Sequence, residues 1–277
     1  MTSFLDRMAE SSRERAQAAR RSESLTTLAS RAEAAPRPLP LRLSGFDLIA
    51  ELKFRSPAAG GLADATFDAG RQLDAYVAGG AAAVSVLTEP LEFRGSLADL
   101  NNAAARLRPS ACPVMRKDFL VDPYQVLEAR ANGASGVLLI VAMLTDTELD
   151  ELRAAAREQE LFVLLEAFDS TDLERLARID LGPEQGRTLI GVNSRNLKSL
   201  AVDFDRFARL ADQIRDDVPA VAESGIESAA DIQTVAGLGY RLALVGSALM
   251  RDADVAGAVA GFVAAGRRAA AEMVQCS

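Results

Sequence analysis

Eight short apolar runs, each followed by an amphipathic stretch, restrict what this chain can fold into more than any other feature. The runs are Leu48–Phe54, Ala82–Thr88, Pro113–Lys117, Gly136–Val141, Leu161–Glu166, Thr188–Asn193, Val218–Glu223 and Leu242–Gly246. Their starts lie about 23 to 34 residues apart, near the ~30 residues of a strand–helix–strand unit. Between them come helical patterns such as Asp122–Ala131, where Val126, Leu127 and Arg130 follow a 3.6-residue period. Several of these stretches end in glycine just before the next run: Gly79-Gly80, Asn132-Gly133 and Gly237-Leu238-Gly239. Glycine closes a helix in the left-handed conformation without a Cβ penalty, so these segments read as helix-to-strand turns. Eight strands alternating with eight helices in 277 residues predict an α/β fold, a closed (β/α)8 TIM barrel, over its competitor, a doubly wound open sheet.

The N-terminal segment does not fit the alternation. Met1–Arg21 has helical spacing and Ala34–Pro40 is rich in Pro and Ala, so residues 1–45 read as a helical extension with a linker. Residues 46–270 then form a single barrel domain. The basic cluster Arg13, Arg15, Arg20 and Arg21 is interleaved with acids and is expected to be a solvated helix face.

Composition narrows the chemistry. The chain has no histidine, which excludes Ser-His-Asp and Cys-His nucleophilic sites, His-ligated zinc and a histidine acid or base. Proton transfer must fall to Lys, Glu, Asp, Tyr or Cys. Two cysteines, Cys112 and Cys276, offer neither a CxxC pair nor a disulfide framework, which fits a reducing cytoplasm. A net charge of −8 argues against bulk nucleic-acid binding. The longest fully apolar stretch, Val137 to Leu144, is far short of the ~20 residues that span a bilayer. The first twenty residues lack a signal-peptide core. A cytoplasmic enzyme without nucleic-acid or membrane partners is expected, monomeric or else a homodimer.

Functional residues of such barrels sit at the C-terminal ends of the strands. Here those ends are charged where a buried strand should be apolar. The first gives Glu51 and Lys53, the third Lys117, the fifth Glu166 and the seventh Glu223, while the sixth supplies Asn193 and Arg195. Period-two alternation places Ile49, Glu51 and Lys53 on one face and Leu52 and Phe54 on the other. Two lysines and three glutamates from the odd strands therefore converge on one mouth. Buried charges must be paired or put to use, so these five are the candidate acid–base groups. A structural salt-bridge network is the competing reading. The seventh and eighth strands end in Ser224-Gly225 and Gly246-Ser247, at the usual phosphate position of barrels. A phosphorylated small-molecule substrate is expected. Gly237-Leu238-Gly239 follows a helix and lacks the third glycine of a dinucleotide fingerprint, and no phosphate-binding P-loop or calcium-loop spacing occurs. Cofactor-free, metal-free acid–base chemistry remains.

These motifs, with their neighbours, resemble the indole-3-glycerol-phosphate synthase family. The resemblance rests on Glu51-Leu52-Lys53 with Ser56-Pro57, Gly79-Gly80-Ala81, Ser85 to Glu89 and the Phe93-Arg94-Gly95-Ser96 turn. It continues through Arg116-Lys117-Asp118-Phe119, Asp122 to Arg130, Asn193 with Arg195-Asn196-Leu197, Glu223-Ser224-Gly225 and Val245-Gly246, in register from about residue 48 to 250. It implies a carbon–carbon lyase of tryptophan biosynthesis, a decarboxylase that needs no cofactor. The substrate would be 1-(2-carboxyphenylamino)-1-deoxyribulose 5-phosphate, and the products indole-3-glycerol phosphate, carbon dioxide and water.

By the same resemblance Lys117 is the general acid, Lys53 holds the anthranilate carboxylate and Glu166 works in the loss of water. Glu51 and Asn193 orient lysines and substrate hydroxyls, and Glu223 completes the polar ring. Ser56, Ser224, Gly225, Gly246 and Ser247 cradle the phosphate, Phe93, Phe119 and Leu244 line the anthranilate pocket, and Arg195 joins the substrate-binding set. Acid catalysis at neutral pH is expected to rest on lysine pKa values lowered by neighbouring cations and partial desolvation. Departures are Phe54 where the family often has a second basic residue, Phe168 for a frequent histidine, Ser194 for asparagine and Ala58 for serine. They leave room for a paralogue in a specialised indole pathway. Other readings on the same barrel are a phosphosugar isomerase or Schiff-base aldolase, and a non-catalytic phosphate-binding barrel.

Overall fold

A computed structural model describes residues 3–56, 60–62, 67–180, 187–196 and 201–276. Pro57, Ala58 and Leu197 of the family motifs lie outside the described residues, and so does the side chain of Ser56. Helices α1 (Phe4–Ser22) and α2 (Leu25–Ala34) come first, followed by an irregular stretch to β1 (Asp47–Leu52). A short antiparallel hairpin, β2 (Arg55–Ser56) and β3 (Gly60–Gly61), sits at the mouth and has no counterpart in the sequence periodicity. Then come α3 (Ala69–Ala78), β4 (Ala83–Leu87), α4 (Leu97–Leu107), β5 (Val114–Lys117), α5 (Pro123–Ala131), β6 (Gly136–Ile140), α6 (Asp146–Glu158) and β7 (Phe162–Ala167). The chain closes with α7 (Ser170–Ala177), β8 (Thr188–Asn193), α8 (Arg206–Leu210), β9 (Ala220–Glu223), α9 (Ala229–Gly237), β10 (Leu242–Val245), α10 (Ser247–Arg251) and α11 (Val255–Cys276).

The eight long strands form one closed parallel barrel in the order β1-β10-β9-β8-β7-β6-β5-β4. This is the (β/α)8 TIM barrel that the alternation predicts. The turn glycines behave as the sequence suggests, with Gly80, Gly133 and Gly239 all in the left-handed region. Among the described residues no helix is long and apolar enough to cross a membrane.

Two apolar layers follow from the period of two. Outward-facing residues such as Leu48, Ala50, Val84, Val86 and Val192 pack under the helices. Inward-facing Ile49, Met115, Leu138, Ile140, Leu164, Val221 and Leu244 fill the barrel, with Phe162 plugging the space beside Gly136. Two residues above Ile49, Met115, Leu164 and Val221 on the same four strands stand Glu51, Lys117, Glu166 and Glu223. An interior layer built from alternate strands is normal for this architecture. Here that layer is made entirely of ionisable groups. Phe54 faces outward, as alternation requires, and meets Phe67 edge to face at 6.0 Å.

The N-terminal helices lie against the barrel. Ser3 caps α1 with a reciprocal Ser3–Asp6 capping box, a device that satisfies two otherwise orphaned N–H groups. Met8, Ala9, Ser12 and Ala16 of α1 and Leu28 and Ala32 of α2 are buried. The expected solvated basic face is corrected in part: Arg20 and Arg21 are exposed, but three of the four arginines reach across to acids of the barrel. Arg13 pairs with Glu148 at 3.3 Å, Arg15 grips both oxygens of Asp118, and Arg20 grips both oxygens of Asp122. Their partners lie over a hundred residues away, so local charge spacing could not reveal them.

Candidate active site

Lys117 occupies the centre of the charged layer. Its Nζ donates to Glu223 Oε2 at 3.0 Å and to Glu166 Oε2 at 3.4 Å, and lies 3.9 Å from Glu51 Oε2. Lys53, at the end of β1, pairs with Glu51 Oε1 at 2.6 Å. Both lysines keep a small opening to solvent, 15 % and 12 % of their side chains, while the three carboxylates are all but closed off. The five groups predicted to converge do converge.

Two glycines make room for them. A Cβ on Gly191 of β8 would fall on Glu223 Oε1, and one on Gly246 would fall on Glu51 Oε1 and within 2.9 Å of Lys53 Nζ. Gly246 was expected to be small so that the backbone could approach an anion. The structure gives it a nearer reason, which is space for the Glu51–Lys53 pair.

The electrostatics correct the sequence expectation for Lys117. Burial alone would lower the pKa of Lys117, but Glu223, Glu166 and Glu51 outweigh it and raise it well above the ordinary lysine value. Lys117 is surrounded by anions, not cations, and is held firmly as an ammonium. Burial pushes Glu223 up to about 8, against the opposing pull of Lys117 and with help from neighbouring Glu166. Its Oε1 is buried without a hydrogen-bond partner. Three carboxyls against two ammoniums are equalised by one proton, and Glu223 is the carboxyl that burial selects. Glu51 is lowered instead, because Lys53 and Lys117 overcome its desolvation.

Around this layer the barrel mouth opens as a cleft whose empty space, counted out to open solvent, is about 1120 Å³. One wall is apolar: Phe93, Phe119, Leu138, Ile140, Phe168 and Leu244, with Phe4 and Leu5 of α1 closing over them. Phe4 meets Phe119 edge to face at 5.9 Å, and Phe93 lies 6.2 Å from Phe119. The opposite rim is polar and small, formed by Ser224, Gly225, Gly246 and Ser247, with Asn193 and Arg195 between. Asn193 Oδ1 accepts from the Arg195 backbone N–H at 2.9 Å. Ser224 and Gly225 both have positive φ, and the Ser194 hydroxyl donates to the Ser224 carbonyl at 2.9 Å. Serine is strained there, and the bond from Ser194 helps to hold it. Every candidate site residue read from the sequence lines this cleft, apart from Ser56, whose side chain is outside the described set.

Sequence reasoning did not single out Phe4 and Leu5, because they lie outside the eightfold alternation and in no motif. It also missed Glu89, fully buried, whose carboxylate accepts the N–H groups of Leu91, Glu92 and Phe93 and so shapes the turn carrying Phe93. A glutamate followed closely by three successive backbone donors in a turn leaves no periodic signal.

The sequence profile described as indole-3-glycerol phosphate synthase matches residues 5–262. The chain belongs to the indole-3-glycerol phosphate synthase family. Among curated relatives, the indole-3-glycerol phosphate synthase of Nocardioides sp. is 48% identical over 223 residues, covering 80% of this chain and 82% of that one. That of Mycolicibacterium gilvum is 43% identical over 247 residues, covering 88% and 87%. Solved structures add the fold alone. The 3-hexulose-6-phosphate synthase of Salmonella typhimurium superposes with a TM-score of 0.61 at 16% identity, over 81% of this chain and all of that one. Thiamine phosphate pyrophosphorylase of Pyrococcus furiosus gives 0.57 at 15%, over 81% and 96%.

Proposed function

We propose that the chain converts 1-(2-carboxyphenylamino)-1-deoxyribulose 5-phosphate to indole-3-glycerol phosphate, carbon dioxide and water. The observation that carries this reading is Lys117. It is an ammonium facing a cleft whose one wall is aromatic and whose other rim is small and polar. With the aryl group on the phenylalanine side and the phosphate at Ser224–Gly225 and Gly246–Ser247, the reacting carbonyl falls between the walls, over the charged layer.

The aryl carbon bearing the carboxylate then attacks the ribulose carbonyl carbon, forming the new carbon–carbon bond. Lys117 delivers a proton to the carbonyl oxygen as it gains charge, which is what a positioned general acid supplies. Loss of carbon dioxide returns its bonding electrons to the ring and restores aromaticity. The hydroxyl so formed must next leave as water. Lys53 holds the departing carboxylate and then protonates that hydroxyl, and Glu166 takes the proton released from the adjacent carbon. Glu51 orients Lys53, and Asn193 and Arg195 meet the substrate hydroxyls. Glu223 completes the ring as the carboxyl that carries a proton.

The high pKa of Lys117 also weighs against a Schiff-base aldolase, since that chemistry needs a neutral amine as nucleophile. Borohydride with a ketose phosphate should therefore trap no adduct on Lys117. The direct test is indole fluorescence appearing when purified protein meets the carboxyphenylamino substrate. The chain contains no tryptophan, so its own background is low. Absence of the indole signal with folded protein refutes the proposal.

A further inference from the structure

Strand β5 sends Lys117 inward, and the residues on either side of it, facing the helices, are charged and buried. Arg116 Nη2 donates to Asp118 Oδ2 at 3.0 Å, an ion pair that spans Lys117 from behind. Asp118 also accepts from the Thr88 hydroxyl at 2.7 Å and from the Phe119 backbone N–H at 2.8 Å. Arg116 continues to the Gln125 carbonyl at 2.8 Å and to Glu128 at 3.3 Å.

The last partner of Asp118 comes from outside the barrel. Arg15 of α1 places its two terminal nitrogens on the two carboxylate oxygens, at 3.1 and 2.9 Å. A forked guanidinium fixes the plane of a carboxylate as well as neutralising it. Burial would raise the Asp118 pKa, but Arg116 and Arg15 hold it well below the carboxylate range, so the group is fully ionised. Asp118 thus follows Lys117 directly in the chain and is tied to the next backbone N–H, that of Phe119, and α1 supplies one of its two countercharges. Of the other α1 arginines, Arg13 and Arg20 reach Glu148 and Asp122, neither of which adjoins a residue lining the cleft in sequence as Asp118 does, while Arg7 stacks over the Phe4 ring.

We propose that Arg15 is a positioning residue for Lys117: acting through Asp118, it fixes the strand end that sets the ammonium among Glu51, Glu166 and Glu223. The proposal rests on the reading of Lys117 as the acid. Arg15 touches no reacting atom, and its effect is geometric. A displacement of about 1 Å at a catalytic group is worth up to about a hundredfold in rate.

The test compares Arg15→Met, Arg13→Met and Lys117→Ala in steady-state kinetics below their melting temperatures. Arg15→Met is expected to lower kcat about tenfold with KM changed less than about threefold, because the acid is misplaced while the pocket walls remain. Arg13→Met removes a weaker, more exposed anchor of the same helix and should leave kcat within about twofold. Arg15→Ala opens a hole that free guanidinium ion can enter. Millimolar guanidinium should restore much of the lost kcat, and equal sodium chloride should not. Equal losses in Arg13→Met and Arg15→Met, or a raised KM with unchanged kcat, would assign the effect to helix docking and overturn the proposal. Full activity of Arg15→Met beside an inactive Lys117→Ala overturns the positioning role alone. Full activity of Lys117→Ala overturns the acid assignment itself, and the positioning role with it.

Discussion

A lysine with three glutamates within 3.9 Å is an acid stored in its protonated form. What the site must supply is a way to release that proton, and the developing alkoxide provides it. Lys117→Ala should lower kcat about a hundredfold or more while substrate affinity changes little, read from stopped-flow and equilibrium binding. A variant keeping half the wild-type kcat removes Lys117 from the mechanism. Glu223 yields a second prediction. Its folded pKa of about 8 stands above the ordinary 4.5, so the folded protein keeps a proton that the unfolded chain has lost. That contribution is complete below 4.5 and disappears as pH rises toward 8. Lys117, also raised, loses its contribution only at higher pH, and Glu51 and Asp118, both lowered, lose theirs only in acid. Asp172 shares the sign of Glu223 but is unaffected by a change at 223. Denaturant unfolding of Glu223→Gln should therefore show a flatter pH dependence than wild type between pH 4.5 and 8. An unchanged slope would mean that Glu223 is ionised in the native state.

At the scale of elements, the strand ends carry the site and the turns decide how closely its charges can approach. Gly246 opens the turn from β10 into α10, and any side chain there meets Glu51 Oε1 and Lys53 Nζ. Gly246→Ala is expected to lower kcat by about ten- to a hundredfold by displacing that pair, beyond any weakening of inhibition by inorganic phosphate. Weakened phosphate inhibition at full kcat would make the glycine a phosphate contact alone. These positions also show what a sequence can and cannot carry. Strands β1, β5, β7 and β9 were legible because a period of two repeats along each, and a charge at its end stands out against apolar neighbours. The carboxylate room at Gly191 and Gly246 was not legible, because a glycine at a barrel strand end looks the same whether it spares backbone or side chain. The β2–β3 hairpin has two residues per strand, too short for any period. Nor could helix spacing show that Arg13, Arg15 and Arg20 face the barrel, since their partners arise from loops folded from distant sequence.

For the whole molecule, the question is what α1 and α2 contribute beyond closing the mouth. The helical charge pattern and Pro-rich tether of residues 1–40 suggest a lid over the mouth, whose loss would harm turnover more than stability. The buried side chains argue that both suffer. Met8, Ala9, Ala16, Leu28 and Ala32 bury apolar surface worth roughly 5 kcal/mol in total. The Tyr124 hydroxyl donates to the Ala19 and Glu23 carbonyls, and the Leu39 N–H donates to the Ser135 hydroxyl at 2.9 Å, so removal also strands polar groups on the barrel. At about 2 to 4 °C per kcal/mol for a chain of this size, deleting residues 1–40 should lower Tm on the order of 10 to 20 °C, measured by calorimetry. The barrel strands begin only at Asp47, so the truncated protein should still give a parallel α/β circular dichroism spectrum at low temperature. Its kinetics should change in both constants. KM rises because Phe4 and Leu5 leave the apolar wall, and kcat falls because Asp118 loses Arg15. A truncated protein with native kinetics and lowered Tm would make the N-terminal helices a brace for the barrel and nothing more. One that fails to fold at any temperature would make them part of the barrel's core, so that lid and scaffold could not be separated in this chain.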